Sequence, residues 1–228
     1  MAIHYQDRDI VVHKTSCGRF DNNSYLVICK NTGQSAIVDA PEDPEPVIEQ
    51  ARETDVRAIL ITHNHMDHLA GFDAVYGAYK VPVSIGTADA AALGGNGVTE
   101  WLLGADKTPE MTPEITIVGQ LKIRAIHTPG HTPGSTCYAI DTEDGGHTLL
   151  FSGDTLFPGG PGRSGSPELF QQEVGSITGR LFTLPDDTMV LPGHGADTTI
   201  STSKDEYGVF ASKSHPADLH GNVSWLES

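Results

Sequence analysis

The stretch Thr62-His63-Asn64-His65-Met66-Asp67-His68 constrains this chain more than any other. Its three histidines and one carboxylate lie directly after the apolar run Ala58-Ile59-Leu60-Ile61 and directly before Leu69-Ala70-Gly71-Phe72. A strand ends and a helix begins here, and the turn between them is loaded with metal-ligating side chains. In an extended segment alternate side chains point the same way, so His63, His65 and Asp67 converge from one side. His68 follows Asp67 immediately and points elsewhere unless the backbone turns. The natural outcome is two neighbouring sites, one using His63 and His65, the other Asp67 and His68. Four ligands cannot fill two metal spheres, so others must come from far along the chain.

The segments around the turn read as an α/β chain. Residues 10–40 have β character, with apolar and branched runs at 24–29 and 35–39 joined by the turn signal Asn31-Thr32-Gly33. A short helix is predicted at 46–53, a strand at 58–61, and one amphipathic helix over 67–79 from Leu69, Phe72, Val75, Tyr76 and Tyr79. A strand at 81–85 and a short helix at 87–93, capped by Thr87, follow. Residues 94–113, rich in glycine and broken by prolines, predict a long irregular loop, either with a role over the site or as a solvated connection. The second half repeats this grammar, with strands at 115–118, 121–126, 135–140 and 148–151, a helix over 167–182 and a strand at 189–191. Two similar halves packed sheet to sheet, with helices outside, are expected to form one domain spanning 1–228.

Charge narrows the partners. A formal net charge of −16 repels nucleic acid and anionic membranes, and no Lys/Arg cluster offsets it. Cys17, Cys29 and Cys137 are widely spaced, which predicts free thiols in a reducing cytoplasm. Charged residues between Met1 and Lys14 leave no apolar core for a signal peptide, and no run of about 18 apolar residues could span a membrane. A soluble cytoplasmic protein acting on a small molecule is expected.

The missing ligands have three candidates, each at the end of a predicted strand beside glycine or proline. They are His131 in Pro129-Gly130-His131-Thr132-Pro133-Gly134, Asp154 in Ser152-Gly153-Asp154, and His194 in Pro192-Gly193-His194-Gly195. Seven ligands then serve two divalent ions: His63, His65 and His131 on one, Asp67, His68 and His194 on the other, and Asp154 between. Imidazole and carboxylate without thiolate suit zinc, with iron or manganese as the other choices.

His63-x-His65-x-Asp67-His68, followed in order by His131, Asp154 and His194, resembles the metallo-β-lactamase superfamily, with all seven positions of its dinuclear subset filled from about Asn23 to Thr198. The resemblance implies an α/β fold, a four-layer αββα sandwich with the metals at one edge of the paired sheets. Asp39 matches a family aspartate that supports the ligand turn from behind. The family usually continues with Pro-Gly; this chain has Ala40-Pro41.

Two divalent ions bring four positive charges, of which Asp67 and Asp154 return two. The remainder depresses the pKa of a bound water to about 7, generating a metal-bound hydroxide that Asp67 orients or deprotonates. A thiolate, with a pKa near about 8.5, leaves without help from an acid, so a thioester suits this site better than an amide. The segment 155–163 resembles the hydroxyacylglutathione hydrolase (glyoxalase II) branch, in which a basic residue at the Arg163 position holds the thiol carrier's carboxylate. The stretch after His194 is too short for the helical domain that completes the glutathione site in full-length glyoxalase II, and Ser164-Gly165 lacks the aromatic residue common there. Mycothiol, bacillithiol or a simpler thioester therefore stands beside glutathione. The competing readings are a persulfide dioxygenase with a single iron on His63, His131 and Asp154, and a lactonase or other hydrolase of the same fold.

Overall fold

The computed structural model describes residues 2–94, 100–103, 115–142 and 147–228. Two sheets pack face to face, and helices cover the outer side of each. In the first sheet β1 (Tyr5–Gln6), β2 (Ile10–Cys17), β3 (Asn22–Cys29), β4 (Gln34–Val38), β5 (Asp55–Leu60), β6 (Val83–Gly86) and β7 (Glu100–Leu103) lie side by side in chain order. Pairing is antiparallel from β1 to β4 and parallel from β4 to β7. Parallel strands need a crossover. Here α1 (Glu45–Ala51) lies between β4 and β5, and α2 (Met66–Leu69) and α3 (Phe72–Tyr79) lie between β5 and β6.

The second half supplies β8 (Ile115–Val118), β9 (Leu121–His127), β10 (Thr136–Ile140), β11 (Leu149–Gly153), the small hairpin β12 (Leu156–Phe157) with β13 (Gly160–Pro161), then α4 (Pro167–Ser176), β14 (Met189–Pro192), β15 (Thr198–Thr199) and α5 (Ile200–Ala211). The six-stranded sheet runs β15-β14-β11-β10-β9-β8, with β11 and β14 parallel. Both halves thus pass from an antiparallel meander to a parallel crossover.

The strands β4, β6, β10 and β11 are buried at nearly every position because both faces are covered. On β3, Tyr25, Val27 and Cys29 enter the core between the sheets, while Leu26 joins the layer under the first half's helices. On β10, Tyr138 and Ile140 face inward and Cys137 and Ala139 face the second half's helices. Tyr25 and Phe151 meet edge to face across the sheets, ring centroids 5.1 Å apart. The buried Tyr138 hydroxyl reaches the opposite sheet, near the Ile61 and Ser84 carbonyls at 2.9 and 3.0 Å, so its polar end is satisfied.

Some expectations need correction. Residues 67–79 form two helices, because Gly71 breaks the run. Its N–H donates to the Ala40 carbonyl at 2.9 Å, and a Cβ there would stand 2.2 Å from the Pro41 carbonyl oxygen. The predicted helix at 87–93 is a 3-10 turn whose N-cap position is Gly86 and not the expected Thr87. The helix over 167–182 is α4, capped by Ser166 accepting the Leu169 N–H, followed by a π-helical turn at Ile177–Leu181. Within the stretch taken as an irregular loop, β7 pairs in parallel with β6. The rest of 94–113, whichever of its two expected roles holds, lies almost wholly outside the described residues. Neither α5 nor the β12–β13 hairpin is signalled by the sequence pattern.

Gly to Ala usually stabilises a helical segment by up to about 1 kcal/mol. Gly71→Ala is expected to do the opposite, losing about 1–3 kcal/mol to overpacking against Pro41, as read from the denaturant midpoint. A raised midpoint would mean that the Pro41 segment yields freely.

Candidate metal centre

The ligand-bearing turns all emerge at one edge of the paired sheets. The turn after β5 carries His63 and His65, and α2 carries Asp67 and His68. His131 lies between β9 and β10, Asp154 directly after β11, and His194 directly after β14. Backbone hydrogen bonds stitch these turns together. Asn23 N–H donates to the Gly193 carbonyl at 2.7 Å, Thr136 N–H to Thr62 at 2.8 Å, and Ala40 N–H to His68 at 3.0 Å.

All seven candidates meet. Ligand atoms of His63, His65 and His131 lie within 4.8 Å of one another, as do those of Asp67, His68 and His194, and those of His63, His68 and Asp154. Asp154 stands between the two sets, 3.3 Å from His68 Nε2 and 3.7 Å from both His131 Nε2 and His194 Nε2. Gly193 permits this approach, since a Cβ there would fall 2.5 Å from Asp154 Oδ1 and from the His68 ring. Five imidazoles crowd the space, with the His63 ring centroid 4.1 Å from His68, 4.7 Å from His65 and 4.8 Å from His131.

Four of the rings have one nitrogen committed to a fixed partner. His68 Nδ1 donates to Asp39 Oδ2 at 2.9 Å, His131 Nδ1 to the Arg163 carbonyl at 3.0 Å, and His194 Nδ1 to the Phe20 carbonyl at 3.1 Å. His63 Nδ1 lies 3.1 Å from Thr62 Oγ1, whose own proton goes to Asp39. Once its ring is neutral, each Nε2 is left as a lone-pair donor toward the shared space. Asp39 does most to hold the turn, accepting also the Thr62 N–H and hydroxyl at 2.8 Å each. It sits at φ 58°, a backbone cost of about 1 kcal/mol or more that these bonds offset.

Among the described residues, His63 Nε2, His68 Nε2 and Asp154 Oδ1 are buried with no hydrogen-bond partner. Buried polar atoms left this way cost about 1–3 kcal/mol each, so three aimed into one space fit a cation. Protons compete with a cation for this space. Burial, with the neighbouring imidazoles, pushes the His63 imidazolium well below its usual range. Burial also opposes charge on His68, but Asp39 and Asp154 outweigh it and raise this group to about 10. The His194 hydrogen bond, helped by Asn22 and opposed by burial, holds Asp67 well below the usual carboxylate range. Asp154 is buried, which favours its neutral form, yet the charge on the His68 ring 3.3 Å away and the surrounding imidazoles keep its pKa low.

Residues 17–194 match the family model described as the metallo-beta-lactamase superfamily. The chain belongs to that superfamily. Over 200 residues it is 34% identical to the probable hydroxyacylglutathione hydrolase glo2 of Schizosaccharomyces pombe, a match covering 85% of this chain and 71% of the relative. It is 32% identical over 204 residues to the probable metallo-hydrolase YqgX of Bacillus subtilis, covering 83% and 92%. Among solved structures, ETHE1 from Myxococcus xanthus matches at a TM-score of 0.67 with 26% identity, covering 89% of this chain and 85% of that one. The metallo-beta-lactamase fold, with its two mixed sheets between helices, places the His/Asp cluster at the sheet edge.

Three residues beside the cluster escape sequence reading. Asn22, buried at the start of β3, donates from Nδ2 to Asp67 Oδ2 at 2.9 Å and lies 3.2 Å from His194 Nε2. Asp89, in the 3-10 turn, receives donors from two ligand loops. Glu173 on α4 is fully buried and accepts the Gly162 N–H at 3.1 Å behind the Arg163 loop. No repeated spacing marks any of them. Arg163 itself is exposed, its carbonyl fixed at His131. His127, beside the site in sequence, lies 2.9 Å from the Pro133 carbonyl through Nε2 and braces the loop base.

Burial raises the Glu173 carboxyl from 4.5 to about 9, so it is neutral in the folded chain at pH 7. A carboxyl raised on folding withdraws stability as pH climbs from its unfolded pKa through its folded one. Glu173→Gln should therefore match the parent's melting temperature near pH 4.5 and exceed it at pH 8.5; equal melting temperatures at both would remove this assignment. Asp39→Asn should lower metal affinity by about 10–100-fold, measured by competition with a chelating dye.

Proposed function

We propose that this chain is a metal-dependent thioesterase that hydrolyses a hydroxyacyl thioester of a low-molecular-weight thiol. The observation that carries the reading is the set of unpartnered, buried ligand atoms of His63, His68 and Asp154, in a chain whose curated relatives are hydrolases. His63, His65 and His131 hold one divalent ion, Asp67, His68 and His194 a second, and Asp154 lies between them. The donor set favours zinc, with iron or manganese as the other candidates. When bound, the two ions supply an activated water and a Lewis acid for the attacked carbonyl.

The protein's own groups do the rest. Asp67 stays ionised, and the Asn22 amide engages its Oδ2, so the carboxylate can orient the attacking water or take its proton. Arg163 stands on the loop whose backbone carbonyl fixes His131, and in this reading its exposed guanidinium clamps a carboxylate on the thiol carrier. A thiolate leaving group needs no acid at that side. The carrier is glutathione, mycothiol, bacillithiol or a simpler thiol, and a substrate panel decides among them. The compartment is the cytoplasm, in keeping with three buried free cysteines. Among the described residues no helix is long and apolar enough to cross a membrane. Residues 1–228 act as one unit, because the core between the sheets draws on both halves.

A second reading, a persulfide dioxygenase with one iron on His63, His131 and Asp154, is favoured by the likeness to ETHE1 alone, at lower identity than the hydrolases. Metal analysis and two assays on one preparation separate them. Two zinc per chain with hydrolysis of an S-lactoyl thioester supports the thioesterase, whereas one iron with oxygen uptake on glutathione persulfide sinks it. Arg163→Ala should raise KM for a carboxylate-bearing thioester about tenfold or more with little change in kcat, as loss of a charged contact does. An unchanged KM would exclude the clamp. His68→Ala should halve the metal content measured by elemental analysis.

A further inference from the structure

Asp39 has a counterpart. Asp89 is buried to 1% exposure in the 3-10 turn Thr87–Leu93 that follows β6. Its Oδ2 accepts the Asn64 N–H at 3.1 Å and the Thr132 hydroxyl at 2.6 Å, and its Oδ1 accepts the Gly134 N–H at 3.0 Å. Asn64 is the residue between His63 and His65, and Thr132 is the residue after His131. One carboxylate oxygen thus joins the two loops that carry the first ligand set, although they belong to different halves of the chain. The packing leaves little slack. A Cβ on Gly134 would stand 2.5 Å from Asp89 Cγ, and one on Gly86 would stand 1.9 Å from the Gly134 carbonyl oxygen. Ser135 adds a second tie inside the His131 loop, its hydroxyl 2.8 Å from Thr132 Oγ1.

We infer that Asp89 is a positioning residue for the ion held by His63, His65 and His131. It acts through the loops and not through contact with the ion. The argument is geometric. Hydrogen bonds from behind fix the His63, His131, His68 and His194 rings, but His65 is exposed, with its Nδ1 2.9 Å from His131 Nε2. The spacing between the His63–His65 segment and the His131 loop therefore depends on the backbone. Asp89 sets that spacing by fixing a residue adjacent to ligands on both sides. Held groups bind an ion without losing freedom at the moment of binding. Without the tie, the Thr136–Thr62 backbone bond still joins the loop bases, but the ligand-bearing parts are held less closely as the ion enters, and affinity falls at this set before the other. The inference rests on the assignment of His63, His65 and His131 to one ion.

The test isolates that set. In a His194→Ala background, which removes a ligand from the other set, the chelator-stripped protein is titrated with cobalt(II) and followed by its visible absorption. Circular dichroism and melting are recorded on the metal-free form. Adding Asp89→Asn, which keeps the shape but makes one oxygen position a donor, should weaken cobalt binding by about 10–100-fold while the fold is retained. Thr132→Val should weaken it in the same direction, and Thr132→Ser, which restores the hydroxyl, should recover the parent affinity. The Thr132 pair keeps the test alive if the Asp89 variant fails to fold. Equal affinity in parent, Asp89→Asn and Thr132→Val overturns the role of Asp89. No cobalt uptake by the His194→Ala parent overturns instead the ligand assignment on which it rests.

Discussion

A ring N–H given to a fixed partner is the interaction on which the sheet edge depends. It recurs at His63, His68, His131 and His194, with Thr62, Asp39 and the carbonyls of Arg163 and Phe20 as acceptors. An imidazole has two nitrogens and one proton when neutral, so committing the proton on one side decides what the other side can do. The acceptors belong to backbone, to a strand end or to a neighbouring residue. None needs a long side chain to be held in place, so the lone pairs converge at small cost in conformational freedom. The acidity of the chain is consistent with this design. Its net charge of −16 opposes an anionic substrate at a distance, so the proposed roles of the cluster and of Arg163 are ones that act at close range.

Much of this edge was legible in the sequence, for stated physical reasons. The extended run after β5 groups His63 with His65 as expected, whereas Asp67 turns with α2 toward His68 and His194, and glycine or proline beside His131, Asp154 and His194 marks turns. Gly193 shows why that signal works: no side chain fits between Asp154 and His68. Asn22, Asp89 and Glu173 were not legible, because each acts on backbone or side-chain groups far away in the chain. A single polar residue carries no periodicity. For Asp89 a weak cue existed, since it follows a parallel strand closely, as Asp39 does.

The same contrast holds for the fold. Two-faced apolar strands announce a doubly covered sheet, and the order of elements announces two similar halves. The break between α2 and α3 was hidden because Leu69, Phe72, Val75 and Tyr76 keep a helical spacing straight through it. What interrupts the helix is tertiary, the Pro41 carbonyl against Gly71. In α5 the buried positions Ile200, Ser203 and Phe210 include a serine, which erases the apolar stripe that would reveal a helix. The strand β7 sits in a glycine-rich context that reads as turn, and only its pairing with β6 makes it a strand.

The ligands come from both halves of the molecule. His63, His65, Asp67 and His68 belong to the first, and His131, Asp154 and His194 to the second. The apolar contact between the sheets is broad but non-directional, and alone it tolerates small sliding of one layer on the other. Ions seated across the rim would act on that interface as a clasp, fixing the offset of the layers from outside the core. Metal release would then register as a loss of cooperativity between the two halves, and occupancy would stabilise the whole fold by mass action instead of merely ordering a loop.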